Sequence, residues 1–247
     1  MSPDEHDIMR AVEDDYWWYQ ALRQHVADSI EPPGPAFSVL DAGCGTGGTL
    51  AALRRNFPEA ELTGIDDSDH AVALTAGRNT GAHLSRASVH ELPFAAGSFD
   101  FVLSLDVWSH AGVDDALAAH EAHRVLRDGG KLILNLAAFE FLKGAHDCAT
   151  DVDRRYTRRQ VQALLEGANF RIERLTYWYA AFTPPIALVR WLSRMRLHRE
   201  EPRSDFRPLP RFVNATLKRV AALELTASRH LSLPFGSSLF AVARKHG

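Results

Sequence analysis

Cysteine is nearly absent from this chain: Cys44 and Cys148 are the only two in 247 residues. They cannot build a disulfide framework or a Cys-x-x-Cys metal site, and are expected as reduced thiols of a cytoplasmic protein. An apolar run of the ~20 residues a membrane span requires is missing as well. The chain opens with acids (Asp4, Glu5, Asp7, Glu13, Asp14, Asp15) where a secretory leader would carry bases. Net charge is only −3, which excludes a surface built throughout to grip nucleic acid. No internal repeat or low-complexity tract occurs, which excludes solenoids and arrays. What is present, 46% hydrophobic and 24% charged residues, fits a soluble globular chain long enough to bury a core.

The charge is unevenly placed. Residues 184–219 hold nine Arg/Lys against three Asp/Glu, net +6, leaving −9 for the remainder. That strip suits an anionic lipid surface, an acidic substrate or partner, or a solvated helix face, so peripheral membrane contact stays open.

Apolar patterning alternates between strand and helix. A helix is predicted over about 10–30, ended by "EPPGP". "FSVLD", "ELTGID", "AHLSRA", "FDFVLSLD" and "KLILNLAAF" read as strands, separated by helices at 47–56, 69–79 and 113–126. In "YTRRQVQALLEGANF", Thr157 with Gln160 fits a capping box and Gly167 a helix stop. "FRIERLTYWYA" and "GSSLFAVARK" complete seven strands. Such alternation demands a largely parallel sheet with right-handed crossovers. The expected organisation is one α/β domain: a cap helix (10–30), a core (36–182), a proline-punctuated helical insertion or lid (183–234) and a final strand (235–247).

The chemistry concentrates in "SVLDAGCGTGG", residues 38–48, where Gly43, Gly45 and Gly48 spell G-x-G-x-x-G. A glycine loop from strand to helix lets backbone approach a ligand and aims free helix N–H groups at negative charge. This serves a dinucleotide's pyrophosphate or a cofactor carrying a carboxylate. Asp66, ending the second strand, stands where a carboxylate accepts both hydroxyls of a ribose.

The neighbouring blocks separate the two. "LDAGCGTG", "LTGIDDSDHAV", "ELPFAAGSFDFVLSLDVWSH" and "EAHRVLRDGGKLILN" follow one another across residues 38–136. In that order they resemble the motifs of the class I S-adenosylmethionine-dependent methyltransferases, and the chain is similar to their small-molecule type 11 branch. "DYWWYQALRQ", "HDCATDVDRRYT" and "LPFGSSLFAVARK" extend the likeness to nearly the full length. The resemblance implies a Rossmann-like α/β fold of seven strands with the last antiparallel. It also implies S-adenosylmethionine as cofactor, held by Asp41, Gly43, Cys44, Gly45, Gly47, Asp66, Asp67, Ser88, Val89 and Leu105. Ser88 stands where the family usually has an acid for the adenine amino group, a neutral acceptor for a charged one. "SH" (Ser109, His110) replaces the usual "EH", and "RDGG" replaces "KPGG".

Methyl transfer needs alignment, exclusion of water and, for a protonated nucleophile, a base. His110 after the fourth strand and His146 beyond the fifth are the candidate bases, with Asp147 as a possible orienter of His146. A metal held by His146, Asp147 and Asp151 has no supporting spacing, and none is expected. On the cap helix, Val12, Tyr16, Tyr19, Leu22, Val26 and Ile30 form one stripe that also contains Arg23. A buried arginine requires a partner: a cofactor carboxylate, a substrate anion or an ion pair. Tyr16 and Trp17 are candidates for the substrate cavity, with Trp18 beside them. In the insertion, Leu188, Trp191, Leu192 and Met195 share a face opposite Arg190 and Arg194. Leu209, Phe212, Val213, Leu217, Val220 and Ala227 form a second stripe, in which Glu224 is placed to reach the substrate or an arginine.

The expected function is methylation of a small hydrophobic or amphiphilic molecule, with no nucleic acid as partner. "LDVWSH" lacks the Asn/Asp-Pro-Pro-Tyr type tetrad that would hold a flipped base. A cofactor-binding scaffold without catalysis and a methylation coupled to cyclisation are the alternatives.

Overall fold

The computed structural model describes residues 2–195, 208–228 and 231–246. Its centre is a seven-stranded sheet: β1 Ser38–Ala42, β2 Glu61–Asp66, β3 His83–Arg86, β4 Phe99–Leu105, β5 Leu126–Ala137, β6 Phe170–Trp178 and β7 Ser238–Lys245. The strands lie in the order β3-β2-β1-β4-β5-β7-β6. β1 to β5 run parallel, and β7 is antiparallel to both its neighbours. Every residue of β1 is buried, as a central strand covered on both faces must be. Two apolar clusters form that cover, one around Trp108, Leu132 and Leu239, the other around Leu50, Ile133 and Phe240.

The helices between strands start where short polar side chains satisfy their free N–H groups. These are α4 Asp69–Ala76, α5 Asp115–Val125 and α7 Arg158–Gly167; α3 Gly48–Asn56 starts after Gly47 with no side-chain cap. The Ser68 hydroxyl accepts from Ala71 N–H at the head of α4. Asp114 accepts from Ala116 and Leu117 at the head of α5. The capping box on α7 is present: Thr157 N–H donates to Gln160 Oε1 at 2.8 Å, and Gln160 N–H to Thr157 Oγ1 at 3.4 Å. Gly167 is not the stop expected there. It is the last helical residue, and the chain turns out through Asn169 at φ 62°, a left-handed conformation that asparagine tolerates better than most side chains.

The N-terminal segment is two helices rather than one, α1 Pro3–Val12 and α2 Trp17–Ser29. Periodicity carries across the acidic stretch 13–15, but Glu13 leaves the helix there and turns inward, buried at 3% exposure. The stripe holds from Tyr19 through Leu22 and Val26 to Ile30, all buried. Since Tyr16 gives α2 no side-chain cap, the cap comes from far away. Asn214 Oδ1 accepts from Trp17 N–H at 3.0 Å, and its Nδ2 donates to the Asp15 carbonyl at 2.8 Å.

Asn214 belongs to α9 Arg211–Ser228, which with α8 Thr183–Met195 lies between β6 and β7. In α9 only part of the expected stripe turns inward, Leu217 and Val220 packing against the core, and in α8 the apolar stripe faces outward. In α9 the buried residues are Asn214, Ala221, Leu225 and Ser228, whereas Phe212 and Ala227 are exposed. In α8 Arg190 is buried, and Leu188, Trp191, Leu192 and Met195 face outward. Periodicity identifies a stripe but not what it meets. Here the polar side of α8 covers a cavity instead of the apolar side covering the sheet. A short α6, Ala145–Ala149, completes the elements around that cavity. Among the described residues, no helix is long and apolar enough to cross a membrane.

Candidate active site

A cavity of about 810 Å³ opens at the carboxyl ends of β1 and β4, where the strand order reverses and α/β sheets hold ligands. Its volume falls toward the upper end of the ~300–1,000 Å³ common for small-molecule sites. One end is built on the glycine loop. Asp41, Gly43, Cys44 and Gly45 line it, as do Asp66 and Asp67 after β2, Ser88 and Val89 after β3, and Leu105 at the end of β4. Gly47 lies outside the lining. It stands at φ 77°, and a Cβ there would press on Thr75, so its part is the turn into α3. Gly43, at φ 100°, has no room for a Cβ beside Val107.

Asp66 locks this loop. Its Oδ2 accepts from Gly45 N–H at 2.9 Å and its Oδ1 from Ser68 N–H at 3.0 Å. Each oxygen keeps a further lone pair for a ligand hydroxyl. Behind it, Asp41 is 2% exposed, and burial, with the Asp66 charge added, raises its carboxyl to about 7. Cys44 is buried beside Thr75 Oγ1 at 3.9 Å, and burial pushes its thiol up and leaves it unreactive.

The cap helices close the same end. Glu13 joins the Arg23 and Arg78 guanidiniums and the Thr46 hydroxyl in one buried group. Arg23 also donates to the Glu13 carbonyl at 3.0 Å and lies 5.6 Å from the Tyr19 ring centroid. Of the partners expected for Arg23, the ion pair is therefore present within the chain, although its side chain still borders the cavity. From α1, His6 reaches the lining at 3% exposure with Nδ1 lacking a hydrogen-bond partner. Burial lowers it to about 4 and keeps it neutral. A lone histidine in an acidic helix gives no sequence signal of such a position.

Aromatic side chains form another part of the lining. Tyr16, Trp17 and Trp18 belong to it, the Trp17 ring centroid 4.3 Å from that of Phe182 and 5.3 Å from that of Tyr179. His110 and His146 are both in the lining. Burial lowers His110 below the usual imidazole value, so it is neutral at pH 7. Asp147 is not spent on orienting His146: its carboxylate accepts from Gly144 N–H at 2.8 Å and Arg155 Nε at 2.7 Å. Among the described residues, no group of three His, Cys, Asp or Glu could hold a metal ion. Ser109 is fully buried, and its carbonyl accepts from Asp153 N–H at 2.9 Å, so it braces the loop from inside. Glu224 does not reach the cavity. Its oxygens accept from Ala180 and Ala181 N–H, both at 2.9 Å, and tie α9 to the turn leading into α8.

One further lining residue carries no sequence expectation. Asp106 follows β4 at φ 62° and lines the cavity. Both of its carboxylate oxygens accept from Asn135 Nδ2, at 2.9 and 3.0 Å, and its N–H donates to the Asn135 carbonyl at 2.8 Å. Trp178 Nε1 donates to Asn135 Oδ1 at 2.8 Å, which fixes which end of that amide faces Asp106. Burial raises the Asp106 carboxyl to about 7, against the opposing pull of Asn135 and Arg155. The available signal was an acid closing the strand at the switch point.

A carboxyl raised in the folded state stabilises the fold below its unfolded value near 4 and loses that contribution as pH climbs through about 7. Asp106→Asn is therefore expected to raise the melting temperature over the native chain at pH 8, with little gain at pH 4. Paired thermal melts across that range check it; equal shifts at both ends would refute the buried charge.

The family model described as "Methyltransferase domain" matches residues 40–134. A malonyl-[acyl-carrier protein] O-methyltransferase of Enterobacter lignolyticus is 27% identical over 198 residues, 74% of this chain and 76% of that one. Another of the same description, from Herminiimonas arsenicoxydans, is 34% identical over 123 residues, but the chain spans only 46% of its length. Among solved structures, a geranyl diphosphate methyltransferase in complex with GPP and sinefungin superposes with TM-score 0.61 at 16% identity, covering 92% of this chain and 77% of that one. The glycine loop, the acid ending β2 and the sheet order agree with these findings: residues 40–134 match the methyltransferase domain, and the chain has the fold of S-adenosylmethionine-dependent methyltransferases.

Proposed function

We propose that this protein methylates a small hydrophobic or amphiphilic organic molecule. The observation that carries the reading is one cavity whose lining joins the glycine loop and Asp66 to the aromatic side chains of Tyr16, Trp17 and Trp18. The residues suit the cofactor. Asp66 has lone pairs free for ribose hydroxyls, and Ser88 and Val89 stand beside it after β3. Gly43 and Gly45 admit a close approach of backbone, and the start of α3 at Gly48 in the same lining would offer free N–H groups to the cofactor's carboxylate. When bound, S-adenosylmethionine supplies an electrophilic methyl group on a sulfonium that is its own leaving group.

The chain's part is then position and dryness. The aromatic wall removes an apolar acceptor from water, and alignment is worth up to ~7–11 kcal/mol of barrier. Asp147 and Arg155 support the rim on which His146 sits.

The purified protein, incubated with methyl-labelled S-adenosylmethionine and a metabolite extract, is expected to place label in the organic-extractable fraction of low molecular mass. Label confined to protein or nucleic acid would overturn the reading.

A further inference from the structure

The geometry points to Asp106 as the proton acceptor of the reaction, and hence to an acceptor that brings a proton to be removed: a hydroxyl, a phenol or an amine rather than a carboxylate. The inference rests on the methyltransferase reading above and adds the class of nucleophile.

Three observations carry it. First, Asp106 lines the cavity together with its neighbours Leu105 and Val107, in one lining with the glycine-loop residues Gly43 and Gly45 and the aromatic Trp17 and Trp18. Second, the carboxylate is set deliberately. Its backbone is held at φ 62°, a conformation costly for a residue other than glycine. The Asn135 amide, itself oriented by the Trp178 indole, grips both oxygens from one side. Asp106 also belongs to the cavity lining. Third, the carboxylate has no ion-pair partner at contact distance among the described residues, unlike Asp147, Asp100 and Glu13, which are bonded to arginines.

The charged and titratable groups facing Asp106 are few. Arg155, preceding α7, acts on it through space, while the phenols of Tyr19 on α2 and Tyr179 after β6 feel its charge. The phenols are buried and held protonated far above their usual range. Asp106 is thus left as a carboxylate of raised basicity, with burial as the cause. That suits a general base, whose strength should lie near the working pH.

In the step, a lone pair on the acceptor oxygen or nitrogen forms the bond to the methyl carbon. The carbon–sulfur bond breaks with its electron pair passing to sulfur, and the acceptor's proton passes to Asp106 Oδ. A carboxylate acceptor has no proton to give. It would also place a second anion beside Asp106, which like-charge repulsion disfavours.

The test uses the full chain and does not need the natural acceptor. Carboxyl ¹³C NMR of aspartate-labelled protein, saturated with S-adenosylhomocysteine, follows the resonance that is lost in Asp106→Asn. A midpoint near 7 is expected; a midpoint below about 5 would mark a fixed anion too weak for the role and overturn it. Calorimetry with S-adenosylhomocysteine should show the same affinity for Asp106→Asn and the native chain within about threefold. A large loss would assign Asp106 to the cofactor site and overturn the base role, while failure of both proteins to bind would instead sink the methyltransferase reading. With a panel of alcohols, phenols, amines and carboxylic acids, the proton-bearing nucleophiles should be methylated with kcat/KM rising through pH 7, and Asp106→Asn should lower it ~10²–10⁴-fold. Preferred methylation of carboxylic acids, or full activity of Asp106→Asn, would overturn it.

Discussion

Replacing Glu13 by alanine is expected to lower the stability of this protein by about 3–5 kcal/mol, the usual result of stripping one partner from a buried ion pair. Glu13 is the carboxylate between two guanidiniums. The Arg23, Arg78 and Glu13 side chains are only 8%, 6% and 4% exposed. Without Glu13, both cations keep only Asp14 nearby, an exposed carboxylate 3.9 Å from Arg23 and 2.9 Å from Arg78. The Thr46 hydroxyl loses its acceptor too. For a chain of this size, such a loss corresponds to roughly 6–20 °C in melting temperature. Glu13→Gln keeps the shape and one acceptor, so its loss should be smaller. A change below about 1 kcal/mol for Glu13→Ala would mean that the group contributes nothing net to stability. The variant should also weaken S-adenosylhomocysteine binding, because a Cβ at Gly48 would strike Arg23 and Glu13: the ion group rests directly on the helix start that the cofactor approaches.

Asp66→Ala is expected to reduce affinity for S-adenosylhomocysteine by about 1.5–3 kcal/mol, or ~10–150-fold, the worth of a hydrogen bond to a charged group. Two losses act together. The ribose acceptor goes, and the glycine loop is released, since Asp66 now accepts from both Gly45 and Ser68 N–H. Asp66→Asn separates them. Its amide retains one oxygen for one of those N–H groups and turns a donor toward the other, giving an intermediate loss. Calorimetry at pH 7.5 reads all three proteins; an unchanged dissociation constant for Asp66→Ala would remove Asp66 from the cofactor site. Asp41 supplies an internal check. Its carboxyl is raised by burial and then by the Asp66 charge, so Asp66→Ala should move its titration down toward the ordinary range.

The two variants also show why parts of this site were legible in the sequence and others were not. Asp66 and the glycine loop could be read because both follow from backbone geometry local to a strand end. Gly43 at φ 100° and Gly45 at φ 53° are positions that few other residues adopt, and the acid ending β2 falls in place once the strands are parallel. The seven strands were legible for a similar reason: each is a run of apolar residues bounded by turns, and strand order follows from right-handed crossovers. Glu13 was not legible, since its partners Thr46 and Arg78 come from 33 and 65 residues away and only packing joins them. Its neighbours read as a continuous helix because periodicity does not register a side chain pulled inward.

By itself, then, the sequence determined the seven strands and the glycine loop, both of them consequences of short-range backbone preference and apolar alternation. Tertiary structure alone decided which faces of α8 and α9 turn inward, because a stripe of apolar residues records that a helix is amphipathic and not which surface it will meet. It also decided the fate of lone polar groups. Arg23 found Glu13, Glu224 went to the backbone at Ala180 and Ala181, and Asp106 was left facing the cavity with Asn135 behind it. A buried polar side chain takes whatever partner the fold brings within reach, and that partner is set by contacts distant along the chain.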